Sequence, residues 1–520
     1  MKKIATALLS CALAAATLAG CAANAAQVPQ ESQEPHTAAL TATAAASVKS
    51  PKYVFLFIGD GMSYPQIQST SDYLGALKDA DYWQAQPSLD DNQGAILDGP
   101  EYLNFMNFEA AGSAVTYDSN SFAPDSASTA TSISTGHKTY SGSINVDETG
   151  TIEYETIAEQ LKAQKGWEIG VITSVNLNHA TPAAFYAHQA SRSSYYEIGL
   201  ELVESGFDYF AGGGLLKPTG SSGDQTDLYE LAQEAGYTVA KTHAEADAIG
   251  TNTEKAIIID EDLADSDAMA YELDRTDDMW ALADYVAKGI EVLDNDTGFF
   301  MMCEGGKIDW ACHANDAASS IHDTQALADA VQVAIDFAKE HADETLILVT
   351  GDHETGGLTI GFAGTDYDTY LDPLENQKIS FAKYDSDYVA SYKANKPPFG
   401  TVLADIEKLF GLKAQGEEGD KLVLTAYEME QLRAAYEKSI NGTASSQYDQ
   451  AEYVLYGTYE PLSVTITHII NNKSGISFTS YSHTGLPVAV LAEGAGSEMF
   501  NGYYDNTDIY NKLADLLNIA

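Results

Sequence analysis

The sequence has little positive charge, few cysteines and no apolar run long enough to span a membrane. Its 27 Lys and Arg face 76 Asp and Glu, so the formal net charge of the 520 residues is −49. Such a chain repels the phosphate backbone, and we expect no nucleic-acid-specific binding. With four cysteines, disulfides are not expected to be the main support of the fold. The acidity instead indicates a strongly solvated surface.

Residues 1–20 have the pattern of an export signal peptide. A short positive segment, residues 1–3, precedes the small and apolar residues 4–19. This run is shorter than the roughly 20 residues of a membrane-spanning helix. It ends in Leu18-Ala19-Gly20-Cys21, which resembles the lipobox of bacterial lipoproteins, where the cysteine is lipidated. We predict a lipid-anchored protein of the periplasm or cell surface; the alternative is simple cleavage near residues 23–26.

Residues 21–50 are mostly Ala, Thr, Gln and Ser, with almost no large apolar side chain. Such a segment cannot bury enough surface to order itself. We predict a flexible tether that reaches roughly 30 Å from its anchor. Residues 51–520 are rich enough in apolar side chains for a large core.

Three β-rich runs stop at potential metal ligands. Residues 53–58 are followed by Gly59 and Asp60, residues 298–303 by Glu304, and residues 345–350 by Gly351 and Asp352. Helical patterns separate these runs, which predicts an α/β fold with a central, mostly parallel sheet flanked by helices. Ligands of such sheets bind beyond the carboxyl ends of the strands. We therefore expect the three carboxylates to share one crevice, although each alone is typical of a turn.

The segment after the second run contains further ligand types. Asp309 and His313 are four residues apart and would share a helix face. A carboxylate and an imidazole so placed suit zinc. Cys303 is predicted to be a small buried residue, and Cys312 would face away from His313 on a helix. A disulfide between them stays open from the sequence.

Ser126 lies among small residues in the segment 124–142. A helix that begins here could bring its N-terminus close to a bound anion. Asp125 could equally be an ordinary helix cap.

Taken together, six motifs in order resemble those of the alkaline phosphatases, from residue 53 to about residue 495. They are Gly59-Asp60-Gly61-Met62, Asp125-Ser126-Ala127, His179-Ala180-Thr181-Pro182-Ala183-Ala184, Glu304-Gly305 with Ile308-Asp309 and His313, Asp352-His353, and Ser482-His483-Thr484-Gly485. The resemblance implies an alkaline-phosphatase-like fold in which residues 51–520 form the catalytic domain. An α+β, cap-like insertion is expected at about residues 364–478. In the family such an insertion can contribute to dimer contacts, so a homodimer is also an expectation.

The resemblance also implies a site with two Zn²⁺ ions and one Mg²⁺ ion. The first zinc would be bound by Asp309, His313 and His483. The second would be bound by Asp60, Asp352 and His353, with the nucleophile Ser126 as its substrate-side ligand.

The magnesium, by the same resemblance, would be bound by Asp60, Thr181 and Glu304. Arg192, thirteen residues after His179, would bind the phosphate through two parallel N–H donors.

The expected function is that of an exported, metal-dependent phosphomonoesterase that forms a phosphoserine intermediate on Ser126. A sulfatase is disfavoured because the segment around Ser126 lacks the pattern of the sulfatase nucleophile. The alternatives are a phosphodiesterase of the same superfamily, whose members usually carry Thr as nucleophile, and a surface lipoprotein that binds metal or phosphate without turnover. Ser126 and Arg192 favour the monoesterase, since a metal store needs neither.

Four residues leave alternatives open. Trp310 and His179 occupy positions that vary in the family and lie near the metals, so the occupancy of the third site stays open. Lys307 could add positive charge to the site or could be a solvated surface residue. His468 is a rival to His483 as a metal ligand, but it lacks the family context.

Overall fold

The computed structural model describes residues 50–78, 97–417, 419–442 and 444–519. The predicted signal peptide, the lipidation site at Cys21 and the tether up to residue 49 lie outside the described residues. In the part of the chain that is described, no helix combines the length and the apolar character that crossing a bilayer requires.

The centre of the fold is a ten-stranded sheet in the order β14-β2-β13-β8-β1-β7-β3-β4-β6-β5. Within this sheet, as far as the chain is described, β13 alone runs antiparallel to its neighbours. The predicted α/β class with a mostly parallel sheet is confirmed. Four two-residue strands form two small extra pairs, β10 with β11 and β12 with β9. The strands are β1 (Tyr53–Gly59), β2 (Ala110–Val115), β3 (Glu168–Asn176), β4 (Tyr209–Gly213), β5 (Thr238–Ala240), β6 (Ala256–Ile259), β7 (Phe299–Gly305), β8 (Thr345–Gly351), β9 (Glu354–Thr355), β10 (Thr359–Ile360), β11 (Ile476–Ser477), β12 (His483–Thr484), β13 (Val488–Gly494) and β14 (Gly502–Asp505).

Helices cover both faces of this sheet, and further helices form a separate layer in the insertion. They are α1 (Tyr64–Lys78), α2 (Ser126–Thr135), α3 (Ile157–Lys165), α4 (Ala180–Ala183), α5 (Tyr195–Glu204), α6 (Leu228–Glu234), α7 (His243–Asp247), α8 (Leu282–Leu293), α9 (Lys307–His313), α10 (Ala317–Glu340), α11 (Phe381–Tyr384), α12 (Ala390–Asn395), α13 (Phe399–Phe410), α14 (Ala426–Asn441), α15 (Gln450–Tyr456), α16 (Pro461–Lys473) and α17 (Thr507–Leu517). A π-helical turn, Asp385–Val389, joins α11 to α12. Short 3₁₀ turns complete the helical elements at Asn104–Asn107, Asp265–Asp267, Glu272–Asp274, Asp372–Asn376, Ser445–Gln447 and Ser497–Phe500.

The three β-rich runs of the sequence form three adjacent central strands. β1 pairs in parallel with β7 on one side and with β8 on the other, and Gly59 is in register with both Gly305 and Gly351. Every residue of the three strands is buried. Alternate side chains of β1 therefore enter two different cores, one on each face of the sheet. The shared register brings the residues at the strand ends to one edge.

The predicted insertion is built almost entirely of helices, α11 to α16, with β11 near its end. Its core contains Val402, Ile406 and Leu409, as their helical spacing predicts, and α13 ends at Gly411 with φ of 71°. A capping box of Thr425 and Glu428 begins α14. This core is continuous with apolar side chains of α1 and α10, so the insertion packs directly on the sheet domain.

Both internal cysteines, Cys303 and Cys312, are buried and free. The open question of a disulfide between them is thereby answered. The Cys312 sulfur lies 3.2 Å from the Ser320 hydroxyl, and burial raises the pKa of both thiols. They are structural side chains beneath the site.

Gly351 at the end of β8 is held against another part of the backbone. A Cβ there would collide with the carbonyl oxygen of Met62. We expect Gly351→Ala to lower the free energy of unfolding by about 2 kcal/mol or more, and to weaken metal retention because Asp352 follows directly. Thermal denaturation and metal analysis measure both effects. Gly400→Ala in α13 is the matched control, since its Cβ would meet no atom of the described residues within 4 Å. Equal stability of the two variants would contradict the prediction.

Candidate active site

Three groups of side chains bring ligand atoms within 4.8 Å of one another beyond the central strands. They are Asp309, His313 and His483; Asp60, Asp352 and His353; and Asp60, His179 and Glu304. The first two groups coincide with the two zinc sets that the family resemblance implies. The third contains two of the three residues expected for magnesium.

In the first group, Asp309 and His313 lie one turn apart on α9, as their spacing predicts, and His483 reaches them from β12. The Nε2 atoms of the two histidines are 3.1 Å apart. The Nδ1 atom of His313 donates to the Tyr481 carbonyl, and that of His483 to the Pro124 carbonyl, both at 2.6 Å. Because a carbonyl only accepts, each neutral ring presents an unprotonated Nε2 to the same point. This arrangement fits a metal ion.

In the second group, Asp60 follows β1, and Asp352 and His353 follow β8. The His353 Nε2 atom lies 3.2 Å from Asp60 Oδ1 and 3.4 Å from Asp352 Oδ2. Burial and the neighbouring carboxylates raise the pKa of Asp60 and bring that of Asp352 to about 8. These acids thus bind protons tightly when no cation is close.

The third group is short of hydrogen-bond partners. Asp60 Oδ1, Glu304 Oε1 and His179 Nδ1 are buried and accept or donate no hydrogen bond among the described residues. Burial raises the pKa of Glu304 to about 7, despite a hydrogen bond from the Thr173 hydroxyl. Thr181 Oγ1 lies 3.5 Å from Asp60 Oδ2, so it stands beside the group. Buried polar atoms are almost always satisfied in folded proteins, and a cation bound here would satisfy these.

The charge balance also fits metal ions. Asp60, Glu304, Asp309 and Asp352 are four buried carboxylates in one cluster, and buried charges require opposite charges nearby. Mixed imidazole and carboxylate donors suit Zn²⁺, whereas oxygen donors suit Mg²⁺. The donor sets of this chain therefore fit divalent cations at all three groups.

Ser126 is the first residue of α2 and lies next to the second group. Its Oγ atom is 3.2 Å from His353 Nε2. Asp125 caps the helix by accepting from the Ser128 N–H at 3.1 Å, and it also accepts from Arg192 Nη1 at 2.9 Å. Burial alone would raise the pKa of Asp125, but Arg192 and the backbone donors hold it below its usual value. The capping residue therefore fixes the serine and the guanidinium together.

His179 is a site residue that sequence reasoning identified only as a departure from the family. Its Nε2 atom lies 3.3 Å from Arg192 Nη2, and its ring meets Trp310 edge-on at 5.9 Å. Burial and the charge of Arg192 lower its pKa to about 3. The position of His179 at the start of the motif that contains Thr181 is the sequence feature that could have identified it.

Two alternatives left open by the sequence are settled by position. Lys307 is fully buried, and its Nζ atom lies 2.7 Å from Asp265 Oδ1, so the prediction of a solvated surface residue is wrong. The charge of Lys307 is already paired and adds no free cation to the phosphate side. His468 donates to Asn315 Oδ1 at 3.0 Å and lies outside the three groups.

A cavity of about 430 Å³ opens onto these residues. Its lining includes Ser126, Arg192, Asp309 and His483, together with Phe381 and Tyr459 from the insertion. A larger apolar cavity of about 580 Å³ lies beside α1 and contains none of the predicted site residues. The cavity with converging polar groups is the candidate substrate site.

The family model described as alkaline phosphatase matches residues 51–519. Alkaline phosphatase 4 of Bacillus subtilis is 30% identical over 473 residues, which cover 89% of this chain and 88% of that protein.

Solved structures agree with this similarity. A cold-active alkaline phosphatase from Shewanella sp. is 27% identical with a TM-score of 0.70, over 89% of this chain and 99% of that one. A mutant of the alkaline phosphatase of the Antarctic bacterium TAB5, described with Mg bound in the M3 site, is 25% identical with a TM-score of 0.59, over 91% of this chain and 99% of that one.

Proposed function

The chain belongs to the alkaline phosphatase family, and from this we propose that it is a metal-dependent phosphomonoesterase that forms a phosphoserine intermediate on Ser126. The observation that carries the proposal is the position of the Ser126 hydroxyl, beside His353 and in the same cavity as Arg192. Belonging to the family makes the chain a phosphatase of this superfamily. The preference for monoesters and the covalent intermediate are our proposal.

We propose two Zn²⁺ ions and one Mg²⁺ ion as cofactors. Asp309, His313 and His483 would hold one zinc, and Asp60, Asp352 and His353 the other. When bound, such cations supply positive charge that lowers the pKa of a nearby hydroxyl and stabilises phosphate oxygens.

The third ion has oxygen donors in Asp60, Glu304 and Thr181, with His179 as a nitrogen donor at the same group. A TAB5 mutant in which glutamate replaces a histidine has Mg in its M3 site, and we propose magnesium here because most donors of this group are oxygens. The His179 nitrogen favours zinc instead, so metal analysis of the wild-type protein distinguishes the two.

The residues of the chain divide the reaction between them. Ser126 Oγ forms a bond to phosphorus while the bond from phosphorus to the alcohol oxygen breaks, and the alcohol leaves with a proton. Water then attacks the phosphoserine, which releases inorganic phosphate and restores the hydroxyl. Arg192 donates N–H groups to phosphate oxygens, and the N-terminus of α2 adds a favourable dipole. Asp125 is a positioning residue for both groups.

A trapping experiment tests the intermediate. The metal-loaded protein is mixed with a phosphate monoester, quenched in acid and digested, and mass spectrometry is expected to find phosphate on the peptide that contains Ser126. Turnover of a monoester, a diester and a sulfate ester is compared in parallel. Faster hydrolysis of the diester would indicate a phosphodiesterase, and no turnover of any ester would indicate a binding lipoprotein.

Arg192→Ala is expected to weaken inhibition by inorganic phosphate about 10- to 100-fold, because two charge-assisted hydrogen bonds are lost. The inhibition constant for phosphate is the measurement. Arg275→Ala is the matched control, since Arg275 makes a similar ion pair with Glu272 away from the cavity. An unchanged inhibition constant in Arg192→Ala would mean that another group binds the phosphate.

We propose further that the protein is exported and lipid-anchored through Cys21, which rests on residues 1–21 of the sequence. Labelling of cells with a radioactive fatty acid tests this, and Cys21→Ala is expected to release the protein from membranes. Homodimer formation stays a prediction.

A further inference from the structure

The cavity that contains Ser126 has a second wall made of aromatic rings. Tyr271, Trp310, Phe381 and Tyr459 line it. The Phe381 ring lies 5.7 Å from that of Tyr271 and 5.8 Å from that of Tyr459, both edge-on. The reaction described above uses none of these four rings.

Two carboxylates of the sheet domain hold the segment that carries Phe381, at the start of α11. The backbone N–H of Phe381 donates to Asp316 Oδ2 at 3.0 Å, and that of Ser380 donates to Asp274 Oδ1 at 2.9 Å. Asp316 is fully buried and also caps α10. The insertion is thereby held so that the phenyl ring, which also packs against Tyr271 and Ala311, stays at the edge of the cavity.

The Tyr459 ring is also supported from behind. It stacks on Tyr481 at 6.2 Å, and the Tyr481 carbonyl in turn accepts from His313. The two rings that the insertion contributes are therefore built into the same framework as the first metal group. A preformed aromatic wall gains contact area with a bound ring at little entropic cost.

The charged side chains on this side of the cavity are paired with side chains of opposite charge. Asp265 is paired with Lys307, and Arg192 is paired with Asp125. Among the described residues that line the cavity, Arg192 is the only Lys or Arg. An anionic group on the leaving alcohol would find no free cation there, whereas an uncharged ring would contact the aromatic wall.

We propose that the site prefers phosphate monoesters whose leaving alcohol carries an uncharged aromatic group, and that Phe381 and Tyr459 determine this preference. The inference rests on the proposed phosphomonoesterase function and adds its substrate class. It also gives the insertion a role, because the insertion supplies both rings.

The test compares one aromatic and one aliphatic substrate in the metal-loaded protein. Phe381→Leu and Tyr459→Leu keep apolar bulk but remove a ring. Each is expected to lower kcat/KM for 1-naphthyl phosphate about five- to tenfold, the size of one aromatic contact with its buried area. The value for glycerol 2-phosphate is expected to change less than about twofold. Because each variant is compared with wild type on the same substrate, the intrinsic reactivity of the leaving group cancels.

Equilibrium binding provides a second readout. Wild type is expected to bind 1-naphthylphosphonate at least about tenfold more tightly than methylphosphonate, and the two leucine variants to lose most of that ratio. Tyr453→Leu is the control, since Tyr453 is an exposed residue of the same insertion outside the cavity.

Equal losses on both substrates, or a phosphonate ratio near one in wild type, would overturn the inference. If wild type hydrolyses no monoester, the proposed function fails instead, and the phosphonate ratio still decides whether the aromatic wall binds rings.

Discussion

Replacing Ser126 with alanine is expected to lower kcat for p-nitrophenyl phosphate by about a thousandfold or more, while the protein keeps its metal. The hydroxyl is the nucleophile of the proposed reaction, and no other hydroxyl is assigned to attack phosphorus. Asp60, Asp352 and His353 would still hold the second metal ion without this hydroxyl. We therefore expect turnover to fall while the metal content of the protein stays the same. Steady-state kinetics and elemental analysis of the same preparation measure both.

Ser132→Ala is the matched control for this variant. Ser132 lies on the same helix, and its hydroxyl donates to the Ser128 carbonyl at 3.0 Å, away from the metal groups. We expect near wild-type activity. If Ser126→Ala instead turns over like wild type, another group attacks phosphorus and the phosphoserine mechanism is wrong.

Removing the metal ions with EDTA is expected to abolish activity and to lower the melting temperature by about 10 °C or more. The physical reason is the cluster of Asp60, Glu304, Asp309 and Asp352, which is buried and acidic. Without cations these carboxylates repel one another and bind protons. Differential scanning calorimetry with and without the chelator is the measurement, and excess Zn²⁺ and Mg²⁺ should restore both properties.

The loss of stability that metal removal causes should increase as the pH rises. Burial raises the folded-state pKa of Glu304 to about 7. Burial, and next the charges of neighbouring carboxylates, raise that of Asp352 to about 8. A carboxyl whose pKa is raised by folding stabilises the fold at low pH, and this contribution is lost as pH rises through the folded-state value. The chelated protein should thus weaken between about pH 4 and pH 8. A melting temperature that EDTA leaves unchanged at about pH 8 would contradict a shared metal cluster.

Much of the fold and of the metal centre was predictable because both depend on patterns within short segments of the sequence. The runs at β1, β7 and β8 end in Asp60, Glu304 and Asp352, and the register of a parallel sheet brings such ends together. The pair Asp309 and His313 needed only the period of a helix. In each case the chemistry lies within a few residues of the element that positions it.

Other parts of the site depend on packing between distant segments, which no local pattern reports. The burial of Lys307 follows from its pairing with Asp265, 42 positions away. Phe381 and Tyr459 lie in an insertion whose aromatic residues, read from sequence alone, are typical of packing side chains. The place of Phe381 in the cavity depends on hydrogen bonds to Asp316 and Asp274, which became visible only in three dimensions. The place of Tyr459 depends on its stacking against Tyr481.

β1 has five strands on one side in the sheet order and four on the other. Fraying at either edge of the sheet leaves its hydrogen bonds to β7 and β8 intact, so amide hydrogens of this strand can exchange only when the whole sheet opens. The reactive centre is thus attached to the last part of the molecule to unfold. Partial unfolding at the edges of the sheet, where heat or a protease acts first, would leave the geometry of the site unchanged.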